Sequence, residues 1–187
     1  MTDTTFVDGS TLTAADWFND VNDLFYTAMG GVAGAGTLTK VQFPATQVAS
    51  GDANALDDYE EGSATLGVAF GGGTTGITYS NQVARYTKVG NRVTVNGEFQ
   101  LSNKGSSSGD ATITGLPFAL NATSGLFQVS AVWGNGLSTI TGHLQGYASP
   151  SATTIALSYL GTGGITNLSQ ANFGNTSEIM VSISYVI

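Results

Sequence analysis

Cysteine is absent, proline occurs three times and histidine once, and Lys and Arg together number five in 187 residues. Without cysteine, neither a disulfide framework nor a thiolate metal site can hold the fold, and the redox compartment is left unmarked. So few cations, against 13 Asp and Glu for a net charge of −8, argue against binding a phosphate backbone, which takes clustered Lys and Arg. No run approaches the roughly 20 apolar residues of a membrane span, and the start MTDTTFVDG has neither the basic region nor the apolar core of a signal peptide. The expectation is a chain made in a cytoplasm and not inserted in a membrane, leaving the cell, if it does, by lysis, within a particle or by a route that the sequence does not show. Glycine is plentiful instead, at 26 residues, with many Thr and Ser: a β-rich chain with many turns.

The acid is concentrated early. Asp3, Asp8, Asp16, Asp20, Asp23, Asp52, Asp57, Asp58, Glu60 and Glu61 all precede Gly62, leaving only Glu98, Asp110 and Glu178 beyond it. Thr13 before Ala14-Ala15-Asp16 reads as an N-cap with an acid near the helix start. Ala14, Trp17, Phe18, Val21, Leu24, Phe25 and Ala28 then recur at three-and-four spacing, and Gly30-Gly31 stops the run. The spacing predicts a helix over about 14–29, about 24 Å long and marginal alone, so its apolar face needs a partner surface. Gly30 to Gly36 reads as a flexible joint, which favours bundling with copies of itself or docking into another protein over folding back on its own chain. Residues 1–30 form an attachment segment in this reading, 31–62 a Gly-rich and acidic linker, and 63–187 a β-domain. The acidic run DDYEE lacks the spacing of a calcium loop and reads as a solvated segment.

Short strands are expected over 64–70, 76–80, 83–89, 92–101, 111–114, 126–133, 139–147, 153–160 and 178–187. Val93, Val95, Phe99 and Leu101 alternate with Thr94, Asn96, Glu98 and Gln100, as in a half-buried strand, and Gly90-Asn91 joins that strand to VARYTKV in a hairpin. Phe127, Val129, Ala131 and Trp133 share a face; so do Ile155, Leu157 and Tyr159, and Ile179, Val181, Ile183 and Tyr185. The pattern predicts a mainly β fold, a two-sheet antiparallel sandwich of jelly-roll type, with one N-terminal helix.

Chemistry finds little purchase. His143 stands alone, without the Cys, second His or spaced carboxylate that a metal site or a nucleophile's base requires, and no G-x-S-x-G elbow is present. Glycoside hydrolysis needs two facing carboxyl groups, and only Glu98, Asp110 and Glu178 are available in the β-domain. GGVAGAG and GGGTTG lack the helix and Lys-Ser/Thr of a phosphate cradle. No catalytic residue, metal ligand or cofactor site is assigned. Among the aromatics Tyr79, Trp133, Tyr147 and Tyr159, core packing is the expected role; the alternative is a sugar-stacking surface, with Trp133 and Tyr147 as its contacts.

Three stretches resemble a known family. FVDGSTLTAADWFNDVNDLFYTA is similar to N-terminal virion-anchoring segments of bacteriophage appendages, and FPATQVASGDANALDDYEEG to the connector that precedes their β-module. YTKVGNRVTVNGEFQLSNKGSSSG followed by ITGLPF resembles that module itself, as found in tail fibres, tailspikes and related virion proteins. At the connector's end the family continues into a Trp-Thr-Pro strand where this chain has Ser63-Ala64-Thr65-Leu66. The resemblance implies a non-enzymatic homotrimer in the virion, docked on a tail adaptor or capsid protein through its N-terminus. It also implies attachment to a host-surface glycan as a short tail fibre or spike, or else decoration of the head. A trimer agrees with Ala14, Val21 and Ala28 at heptad spacing, with Trp17 and Leu24 between them.

Overall fold

Strand structure begins four residues before the expected β-domain, inside the acidic run. The structure, a computed structural model, describes residues 42–44, 46 and 55–187; the helix expected over 14–29, its seam residues and most of the 31–62 linker lie outside them. Ten strands are formed among the described residues: β1 (Tyr59–Ala64), β2 (Gly67–Phe70), β3 (Ile77–Val89), β4 (Arg92–Lys104), β5 (Ala111–Thr114), β6 (Gln128–Leu137), β7 (His143–Ala148), β8 (Ile155–Gly161), β9 (Gly164–Asn167) and β10 (Phe173–Val186). The one helical element among the described residues is a 3-10 turn at Gln170–Asn172.

Every pairing is antiparallel, in the order β1-β3-β4-β10-β6-β7-β8-β5-β2, with β9 beside β8. The two sheets expected of a sandwich are therefore one hydrogen-bonded sheet. That sheet is curled. β1 and β2 end the order at opposite edges, about 38 Å apart if it were flat, yet only Thr65 and Leu66 join them, a reach of about 11 Å. Two side chains bridge the edges so brought together: Tyr79 Oη accepts from the Val68 N–H at 2.9 Å, and Gln82 Nε2 donates to the Leu66 carbonyl at 2.7 Å.

Inside the curl lie Leu66, Val68 and Phe70 from the β2 side, Val95 and Phe99 from β4, and Ile179, Ile183 and Tyr185 from β10, all fully or almost fully buried. Each such side chain contributes on the order of 1.5–3 kcal/mol by leaving water. Phe70 meets Phe173 edge to face at 5.1 Å, and Tyr79 meets Phe99 at 5.9 Å. At the β3–β4 hairpin only Gly90, of the two turn residues, takes a positive φ (56°), as a turn with glycine first requires.

Candidate functional site

The curled sheet has an inner face, filled as above, and an outer face open to solvent. Parity along each strand decides which side chains reach it. On β4 and β10 the alternation assigns Asn96, Glu98, Met180 and Ser182 outward, as the sequence indicates. On β3 a register shift between Thr78 and Asn81 flips the parity, so Ala84, Tyr86 and Lys88 point in while Val83 and Arg85 point out.

β6 corrects the expected core role of its aromatic. Phe127, Val129, Ala131 and Trp133 do share a face, but all four are exposed, and Ser130, Val132 and Gly134 turn inward. The space inside explains the inversion. A Cβ on Gly134 would lie 2.7 Å from Leu137 Cδ1 and 2.9 Å from Leu144 Cδ1, and one on Gly146 of β7 would lie 2.4 Å from Ser130 Oγ. β6 and β7 approach the core on their small residues, so the large ones face out. Tyr147, opposite Val129, is exposed with them, whereas Tyr79 and Tyr159 are half-buried against the core as expected.

Strand register sets the outer face in rows. Val83, Glu98, Met180 and Trp133 form one row across β3, β4, β10 and β6; Arg85, Asn96, Ser182 and Ala131 form the next. Between them runs a shallow groove of about 560 Å³. A second depression of about 480 Å³ lies on the other side of Trp133, lined by Asn135, Ile140, His143 and Leu144. Trp133 is thus the ridge between two hollows. Tyr147 stands on the same face about 14 Å away, four residues along β6 and one strand over, with Phe127 at 6.2 Å from its ring.

The carboxylates of the β-domain are partly gathered here. Glu98 and Glu178 are diagonal neighbours on β4 and β10, about 7 Å apart, while Asp110 is held by Asn167 at 2.8 Å elsewhere. Glu98 and Glu178 stand side by side on an open surface, not on two walls of a cleft with a sugar between them, the arrangement that glycoside hydrolysis uses. Glu98 already accepts from Asn81 Nδ2.

The acidic run is only in part the solvated segment expected, since Tyr59 and Glu61 are exposed while Asp58 is not. Asp58 is buried and ion-paired with Lys88, whose inward position the flipped parity creates; Glu60 accepts from the Tyr86 hydroxyl and Glu61 from that of Tyr59. These acids alternate between the two faces of β1 and do not converge. Among the described residues no three His, Cys, Asp or Glu gather where they could hold a metal. No protein-family model and no curated protein matches the chain. The YTKVGNRVTVNGEFQL block corresponds to the greater part of the β3–β4 hairpin, whose β4 borders β10 at the middle of the outer face.

Proposed function

We propose that this chain is a non-enzymatic structural protein of a bacteriophage particle, a homotrimer fixed through residues 1–30 that displays its β-domain as a jelly-roll-like knob. Its work is host attachment, as a short tail fibre or spike. The observation that carries this reading is the sequence block spanning β3 and β4, together with an N-terminal stretch similar to virion-anchoring segments. The partner at the N-terminus is a tail adaptor or a capsid protein, through Trp17, Phe18, Val21, Leu24 and Phe25. A head fibre or capsid decoration protein is the second reading, favoured by the short stretch between residue 30 and β1, which leaves almost no shaft. Deleting residues 1–30 tests the assignment: the remaining protein is expected to be soluble, folded and absent from particles. Incorporation of the truncated protein would overturn the anchor.

A further inference from the structure

An asparagine followed by glycine can close a ring on its own backbone. The glycine nitrogen, its proton passed to hydroxide, attacks the side-chain amide carbon; a C–N bond forms, the bond to the amide nitrogen breaks, and ammonia leaves. Water then opens the cyclic imide at either carbonyl, giving aspartate or isoaspartate. Glycine favours the closure because it has no β-carbon to crowd the ring, and the rate rests on how closely and how freely the two groups meet. The pair occurs twice in the sequence, at Asn96-Gly97 and at Asn135-Gly136. The fold treats the two oppositely.

Asn96-Gly97 lies in the middle of β4, where Gly97 is in register with Ala84 of β3 on one side and Val181 of β10 on the other. In a strand paired on both sides each N–H points along the ladder to one neighbour or the other. A Cβ on Gly97 would lie only 2.4 Å from Ala84 Cβ, so that backbone has no room to turn. Asn135-Gly136 stands where β6 leaves the ladder. The register of β6 on β10 jumps there from Asn135↔Glu178 to Leu137↔Phe173, and the pairing of β6 with β7 covers 128–130. Gly136 takes a positive φ of 66°, and both residues are exposed and line the hollow beside Trp133. The Gly136 N–H donates to Asn135 Oδ1 at 2.9 Å. The attacking nitrogen therefore already touches the carboxamide whose carbon it would join, in contact with water and outside the ladder.

We propose that Asn135 is a site of spontaneous modification, converting to aspartate and isoaspartate in the folded protein while Asn96 keeps its amide. The product sets a carboxylate across from Glu178, the register partner of Asn135 on β10, and places an acid in the lining of the hollow beside Trp133. Like charges directly opposite on neighbouring strands repel, so an aged molecule differs from a new one at this spot. The chemistry asks nothing of a partner and holds whether or not the chain sits in a virion.

Its test is incubation of the full chain in mildly alkaline buffer, folded and in parallel unfolded in urea, with peptide mapping by mass spectrometry and an isoaspartate assay at intervals. In urea both pairs are expected to convert at similar rates, because only the local sequence then acts. In the folded protein Asn135 is expected to convert at least several-fold faster than Asn96, and anion exchange to show a growing acidic form. Asn135→Gln, whose longer side chain would have to close a larger ring, is expected to abolish that form with an unchanged circular-dichroism spectrum. An Asn135 that keeps its amide in the folded protein as long as Asn96 does overturns the inference. So does an acidic form that persists in Asn135→Gln with Asn96 as its source.

Discussion

Lys88 is buried, its ammonium 5.5 Å from the Phe118 ring centre and paired with the equally buried Asp58. Removing the cation leaves a carboxylate stranded out of water, which costs about 3–5 kcal/mol, whereas replacing both partners by apolar residues costs far less. Lys88→Met is therefore expected to lower the urea midpoint sharply, and Lys88→Met with Asp58→Leu to recover most of it; equal losses in the two would show that the pair is unimportant. Tyr185 makes a second prediction. Burial pushes its phenol up to about 12, against the pull of the Phe118 N–H that it accepts at 3.4 Å. In the unfolded chain that phenol ionises near 10, so its contribution is fully present below about pH 10 and is lost as pH rises through about 12. Hydrogen bonds to Glu61 and Glu60 raise Tyr59 and Tyr86 in the same direction. Stability measured by urea is expected to fall across that window, and to fall less in Tyr185→Phe; a flat profile in the native protein would refute it.

At the scale of elements, β6 and β7 depend on smallness. A Cβ on Gly146 would sit 2.8 Å from Ile155 Cγ2 as well as against Ser130. Gly146→Val is expected to cost about 1–3 kcal/mol by overpacking, seen as a lower thermal midpoint, and an unchanged midpoint would mean that the strands do not approach as described. The same smallness explains what the sequence hid. Where β4, β8 and β10 carry their large apolar residues inward, alternation alone identified both strand and face. On β6 the alternation was equally clear and the face was the opposite one, because periodicity marks which residues lie together and not which side the core is on. β3 read as two strands, since a bulge reverses its parity midway. β1 was concealed by the acids at its start, which a pattern of local charge assigns to solvent, although Asp58 just before it is buried against Lys88, 30 residues on, and Glu60 is held by Tyr86. β9, four residues beside a glycine turn, has no alternation to read. Trp133 and Tyr147 stand out in the sequence only as single aromatics, whereas the groove beside Trp133 joins side chains from β3, β4, β6 and β10, which only the register of the sheet brings together.

For the whole molecule, a curled sheet whose edges are joined by two residues leaves its outer surface open to partners. The N-terminal segment, whose apolar residues recur at three-and-four spacing, and the β-domain, whose outer face exposes Val83, Val129, Trp133 and Met180, each offer a partner an apolar surface. The proposed role requires that the chain be carried on a phage particle. Gold-conjugated antibody against the β-domain, applied to purified particles and viewed by electron microscopy, tests it most directly. Gold at the tail is the predicted result, gold over the head would select the decoration reading, and particles that bind no gold and contain no trace of the chain by mass spectrometry would contradict the account.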